Sequence, residues 1–182
     1  MDKPKAPLLW GAPDPSVFVK KCATKMLAAL DGPIADVACG SGRNAFYLAG
    51  LGATVVALDR NLDQLRSLYG ASRSRLKRRI RLQEIDFVTD PWPFGPLTLG
   101  GACLVHFLHQ PLFRQLAMSI KPGGYLLIET MGSQGGNYVE LPRERDLRRI
   151  LGRSFALEIY EERHAGPAEV DAVAVRLLGR RR

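Results

Sequence analysis

IADVACGSGRNAFYLAGLGATVVALDRN, residues 34–61, decides how the rest of the chain is read. A short apolar run from Ile34 to Ala38 meets a small-residue turn at Gly40-Ser41-Gly42. A helical pattern follows from Arg43 to about Leu51, Gly52 closes it, and a second apolar run from Ala53 to Leu58 ends in Asp59. The order is strand, glycine turn, helix, strand, with a carboxylate at the second strand's tip. Such a unit suits a nucleotide-like ligand. Glycines let the backbone approach it, the helix start offers free N–H groups, and the distal carboxylate accepts ribose hydroxyls.

A dinucleotide fingerprint of the form G-x-G-x-x-G would place a glycine where Ala45 stands. Asp36 lies inside the first strand, shortly before Gly40. A pyrophosphate has little use for that extra negative charge, whereas a ligand with an ammonium group is attracted by it. Taken alone, these residues also fit any βαβ unit with a tight turn. The stretch resembles motif I of the class I S-adenosylmethionine-dependent methyltransferases, commonly acidic-x-G-x-G-x-G. Ala38 replaces the first glycine, and Gly40 and Gly42 keep the others.

With 182 residues the chain suits one α/β domain. The expected division is an irregular arm over 1–15, one domain over 16–179 and a basic tail over 180–182. Cys22, Cys39 and Cys103 lack paired ligand spacing, which points to a reducing compartment and to no metal site. Neither a signal-peptide core nor an 18-residue apolar run is present, so a cytoplasmic protein without a membrane partner is expected. The net charge of +8 raises the question of nucleic acid. Its excess collects at Arg73–Arg81 and Arg180–Arg182. The first cluster leads into a strand, at the pole opposite a crevice outside the strands' carboxyl ends.

Further along, Ser16 is placed to cap a helix from Val17 to about Leu30, and Ile80–Ile85 alternates as a third strand. Leu97–Val105 reads as the fourth strand and Pro111–Ser119 as a helix. Lys121-Pro122-Gly123-Gly124 is expected to turn sharply into a fifth strand, Tyr125–Thr130. Residues 129–138 read as a polar loop, Pro142 as the start of a helix, and Phe155–Arg163 with Ala168–Leu178 as a closing hairpin. That hairpin is unlike the dinucleotide-binding plan. The fold class expected is α/β, a Rossmann-like seven-stranded methyltransferase sheet, mostly parallel, with an antiparallel C-terminal hairpin and helices on both faces.

The resemblance covers about Asp14 to Arg176 and is closest to small bacterial methyltransferases of the tellurite-resistance-like branch. The residues that carry it are Phe107-Leu108-His109-Gln110-Pro111-Leu112, Glu129-Thr130 and Gly136-Asn137-Tyr138. It implies S-adenosyl-L-methionine as cofactor. Asp36, Ala38, Gly40, Gly42, Arg43 and Asn44 would lie near its amino-acid end, Asp59 and Arg60 at the ribose, and Asp86 and Phe87 at adenine. In the resembling enzymes a leading helix lies over the cofactor site, which makes Trp10 and Phe18 candidate walls. Asn137 and Tyr138 are candidate substrate gates.

His106 and His109 follow the fourth strand and are the candidates for a general base, being neutral acceptors near pH 7. The Asp/Asn/Ser-Pro-Pro-aromatic signature of amino-methylating DNA enzymes is replaced by His106-Phe107-Leu108-His109. Cys103 lies within a strand without the proline typical of pyrimidine C5 enzymes. The reading is therefore methyl transfer to a small-molecule acceptor by in-line displacement. The alternatives are an rRNA or tRNA methyltransferase, favoured by net charge, and a silent cofactor-binding regulatory or partner subunit. Oligomeric state is open.

Overall fold

The computed structural model describes residues 14–28, 30–72, 74–133, 144–165 and 172–182. A leading helix α1 (Val17–Ala28) precedes β1 (Ile34–Val37), α2 (Arg43–Gly50) and β2 (Val55–Asp59). Helices α3 (Asp63–Ala71) and α4 (Ser74–Lys77) lead to β3 (Ile80–Glu84). Then follow β4 (Leu99–Val105), α5 (Pro111–Ser119), β5 (Ile120–Ser133), α6 (Glu144–Leu151), β6 (Phe155–Ala165) and β7 (Ala172–Arg181).

The described strands form a seven-stranded sheet in the order β3-β2-β1-β4-β5-β7-β6. β1 to β5 are mutually parallel, while β7 runs antiparallel to both β5 and β6. Parallel strands covered on both faces need apolar side chains on both, and β1 and β4 are buried along their whole length. One core lies between the sheet and α1, α2 and α3, with Phe18, Met26, Phe46, Leu48 and Leu65. The other lies beneath α5 and α6, with Leu112, Phe113, Leu116 and Leu147. The resulting architecture is the expected mixed, mostly parallel sheet with helices on both faces.

The chain winds from β1 outward to β3, then returns to β1's other side as β4, where Val37 pairs with Leu104. That reversal is a topological switch point. In sheets of this kind the ligand crevice lies outside the strands' carboxyl ends at such a point, here those of β1 and β4. The basic residues Arg75, Lys77, Arg78 and Arg81 surround the start of β3, whose Ile80 pairs with the start of β2. They lie at the opposite pole.

Several boundaries differ from the sequence reading. Leu97 takes a left-handed φ of 55° and turns the chain, so β4 begins only at Leu99. Residues 121–124 are a bulge within β5: Ile120 already pairs with Leu99, and regular pairing resumes at Gly101 and Tyr125. Gly124 fits there because a Cβ would stand 2.5 Å from the Gly100 carbonyl oxygen. β5 also runs past its expected end at Thr130 as far as Ser133, into the stretch read as a polar loop, and Glu129 and Thr130 are buried. Residues 180 and 181 are no tail, since Arg180 pairs with Tyr125 and Arg181 with Phe155. Arg181 donates to the Ala117 carbonyl and lies over the Phe155 ring, contacts that keep the strand going. Among the described residues no helix is long and apolar enough to cross a membrane.

Candidate active site

The turn after β1 is fastened to the tip of β2. Cys39 N–H donates to the Leu58 carbonyl (2.9 Å), Gly42 N–H to the Cys39 carbonyl (2.9 Å) and Gly40 N–H to Asp59 Oδ2 (2.8 Å). Ala38, Gly40 and Gly42 all have positive φ, of 53°, 53° and 77°. Left-handed backbone at Ala38 costs about 1 kcal/mol relative to glycine, so the departure from the motif leaves the turn's shape intact. A Cβ built on Gly40 would meet nothing within 4 Å, so its backbone faces open space that a ligand can enter.

Asp36 lies beneath this turn. It is 1% exposed and takes the Cys103 thiol on Oδ1 (3.3 Å). Its Oδ2 has no partner among the described residues. Burial pushes the carboxyl up to about 6, against the lowering effect of the Cys103 thiol, the Ala45 backbone N–H and Arg43. Asp59 is more open. Its Oδ1 accepts the Asn61 N–H (3.1 Å) and its Oδ2 that of Gly40, so each oxygen keeps a lone pair.

His106 stands at the tip of β4 with a left-handed φ of 60°. Its N–H donates to the Glu129 carbonyl (2.7 Å), which fixes the backbone while the side chain stays exposed. Non-glycine residues in this region cluster at functional sites. Its Nδ1 lies 3.3 Å from Nη2 of Arg43, which reaches across from α2. Burial, Arg43 and Arg176 lower the imidazole below its ordinary value despite the pull of Glu129. His109 is half-buried, its ring 6.3 Å from that of Phe107, and its carbonyl receives the Leu112 N–H at the start of α5.

Several expected contacts turn inward. Asn44 is buried and uses Oδ1 to accept the Ser16 N–H (2.9 Å), tying α1 to α2. Phe18 is 1% exposed and packs beneath the Arg176 guanidinium, so it is a core residue and forms no wall of the crevice. Asp86 folds back on its own loop, with Oδ1 accepting the Val88 N–H (2.9 Å), and its N–H donates to Asp90. The Phe87 ring is buried among Trp92 and Phe107, at 6.2 and 6.0 Å. Arg60 is exposed beside Asp59. Trp10, Asn137 and Tyr138 lie outside the described residues.

Sequence reasoning missed one group. Glu129 is buried at the end of β5's paired core, with Ser16 Oγ on Oε2 and Arg176 Nε on Oε1 (2.7 Å). Ser16 meanwhile caps α1, its Oγ accepting the Phe18 N–H at 3.1 Å. The signal available was the acidic residue following the apolar run Tyr125–Ile128. It reads as the penultimate residue of the fifth strand and the start of a polar loop, with no buried partner expected.

The strand order, the antiparallel β7 between β5 and β6, and a glycine turn held by an acidic strand tip define a class: the class I methyltransferases, which use S-adenosylmethionine. Residues 35–128 match the methyltransferase domain family, and the chain belongs to it. Among solved structures it resembles an S-adenosylmethionine-dependent methyltransferase from Mesorhizobium loti at 17% identity. The TM-score is 0.67, and the match covers 91% of this chain and 99% of that one. It also resembles the Burkholderia thailandensis 1,6-didemethyltoxoflavin-N1-methyltransferase, bound to 1,6-didemethyltoxoflavin and S-adenosylhomocysteine. Identity there is 17%, the TM-score 0.62, and coverage 91% of this chain and 78% of that one. A geranyl diphosphate methyltransferase in complex with GPP and sinefungin aligns at 12% identity and TM-score 0.64, over 90% of this chain and 77% of that one. No protein of curated function matches the sequence.

The residues present fit the cofactor. Asp59 retains lone pairs for two ribose hydroxyls, Gly40 leaves its backbone approachable, and the unpartnered Oδ2 of Asp36 puts negative charge beneath the turn.

Proposed function

We propose that the protein transfers a methyl group to a small-molecule acceptor held at the mouth between the tips of β4 and β5. The observation that carries this reading is the tie between Gly40 N–H and Asp59 Oδ2, which holds an approachable glycine turn against a carboxylate with lone pairs left for ribose hydroxyls. S-adenosylmethionine supplies an activated methyl group, so the protein's tasks are to orient the acceptor in line with it and to exclude competing water. Asp36, Gly40 and Gly42 are assigned to the amino-acid end, with Arg43 at the helix start, and Asp59 to the ribose. Asp86 and the backbone of Phe87 are assigned to adenine, since the Phe87 ring is already buried. His106, His109, Asn137 and Tyr138 are assigned to the acceptor side.

Relatives whose names specify small acceptors, 1,6-didemethyltoxoflavin and geranyl diphosphate, support a small molecule over a polymer. The basic cluster on the far pole supports the same choice. The Leu108-His109-Gln110-Pro111-Leu112 and Glu129-Thr130 segments support placement in the tellurite-resistance-like branch. Isothermal calorimetry with S-adenosylmethionine, S-adenosylhomocysteine and NADH tests the reading. Binding of the first two without NADH is expected, followed by turnover in an acceptor screen that includes RNA. Salt-sensitive RNA methylation would overturn the small-molecule reading, and cofactor binding without any turnover would favour a silent subunit.

A further inference from the structure

Arg43 and His106 come from different elements, the start of α2 and the tip of β4, and meet at 3.3 Å between Nη2 and Nδ1. A guanidinium has N–H donors and no acceptor. The hydrogen bond therefore runs from Arg43 to His106, and Nδ1 must offer its lone pair. A neutral imidazole with Nδ1 unprotonated carries its proton on Nε2. We infer that Arg43 fixes His106 as the Nε2–H tautomer, so that His106 is a hydrogen-bond donor to the methyl acceptor rather than a proton-abstracting base, and that the acceptor enters as an anion such as a phenolate, thiolate or carboxylate.

The surroundings of the pair agree with this. Facing His106 are Arg43 from α2, Glu129 from β5 and Arg176 from β7. Glu129 is already engaged with Ser16 and Arg176, which leaves Arg43 without a salt bridge to it. Arg43 also reaches the Asp14 carbonyl at 3.5 Å, an anchor at the base of the leading helix. The left-handed backbone of His106, held by its N–H on the Glu129 carbonyl, aims the ring from a fixed point. His106 is exposed, so Nε2–H can reach a bound molecule.

The chemistry balances without a base. A lone pair of the anionic acceptor forms the new bond to the methyl carbon while the carbon–sulfur pair returns to sulfur, turning the sulfonium into a thioether. No proton is released. The donor hydrogen bond from Nε2 and the charge of Arg43 bind the anion and orient it, so Arg43 acts as a positioning residue through His106.

This inference rests on the crevice being the methyl-transfer site, and its first test needs no turnover. Nitrogen-15 spectra of histidine-labelled protein, with and without S-adenosylhomocysteine, should show His106 with an imine-type Nδ1 and a pyrrole-type Nε2. Arg43→Lys should keep that pattern, and Arg43→Met should give a tautomer mixture. A dominant Nδ1–H form in the wild type would overturn the assignment.

The acceptor class is read by calorimetry on the S-adenosylhomocysteine complex with benzoate and its neutral counterpart benzamide. Benzoate should bind at least tenfold tighter, with the preference lost in Arg43→Met. Equal binding, or binding of neither, would overturn the anionic acceptor. Once an acceptor turns over, His106→Gln, whose amide N–H replaces Nε2–H, should exceed His106→Ala at least tenfold. A general base, commonly worth about 10² to 10⁴ in rate, would leave the two variants equally slow. Failure of S-adenosylhomocysteine to bind at all would instead strike the functional assignment itself.

Discussion

Gly42 sits against Leu65: a Cβ on Gly42 would stand 2.2 Å from Leu65 Cδ1. Leu65 is fully buried in α3, so moving its Cδ1 aside means repacking its neighbours. Gly42 also holds a φ of 77° as the residue before α2. The glycine turn and the α3 core thus set each other's position.

Gly42→Ala is accordingly expected to cost about 2–3 kcal/mol, combining left-handed strain with overpacking. Urea unfolding measures it, with Gly40→Ala as the comparison. Gly40 has the same hand of backbone but no neighbour for its Cβ, so its cost should be nearer 1 kcal/mol. Equal losses in the two variants would show that the Leu65 contact is unimportant.

Asp36 makes stability depend on pH in the sense opposite to most carboxylates. Its folded value is raised from 3.8 to about 6, so folding favours the protonated form. The favourable contribution is complete below about pH 3.8 and is lost as pH rises through about 6. At pH 7.5 the buried charge then costs about 3 kcal/mol. Asp36→Asn should therefore stabilise the cofactor-free protein at pH 7.5 by up to that amount, and much less at pH 4. It should also weaken S-adenosylmethionine binding. An identical change in stability at both pH values would refute the assignment.

Asp59→Ala removes a charged acceptor from the proposed ribose site and releases Gly40 N–H. Loss of S-adenosylmethionine affinity by more than tenfold is expected, in line with about 1.5–3 kcal/mol for a charged hydrogen bond. Calorimetry decides it: wild-type affinity in the variant would sink the role of Asp59. Asp59→Asn keeps an oxygen for the Gly40 N–H but turns an NH2 toward the Asn61 N–H, so it should disturb the turn less than Asp59→Ala while still weakening the ligand.

The Glu129–Arg176 pair should behave as a coupled unit. Arg176→Met leaves a buried carboxylate with Ser16 as its remaining hydrogen-bond partner, which is expected to cost about 3 kcal/mol. Adding Glu129→Gln should recover much of it. Additive losses in a urea-based double-mutant cycle would mean that the two residues act independently.

The glycine turn and the closing hairpin made the fold readable, because both depend on local signals. Positive φ selects glycine, and the stretch around residues 172–178 alternates, with Val173, Val175 and Leu177 in one core and Leu178 in the other. Chain-distant contacts were not readable. Arg180 and Arg181 looked like a tail because charge is a poor local strand signal, yet pairing with Tyr125 and Phe155 overrides it. Glu129 sits where the expected fifth strand and the polar loop overlap, and nothing local marks its Arg176 partner forty-seven positions away. Asn44 and Phe18, expected at the cofactor and substrate, serve α1 instead. Their spacing in sequence carries no trace of Ser16 or Arg176.

The place of β7 bears on how the molecule is made. It follows β6 in the chain but lies between β5 and β6. While a ribosome is still adding residues before Ala172, β5 has its β4 partner on one side and an unsatisfied edge on the other. That edge includes the apolar run Leu126–Ile128. An open apolar edge is a template for foreign strands. Nascent chains halted after β6 should therefore associate with chaperones or with one another, and chains halted past Arg181 should be released from that hazard.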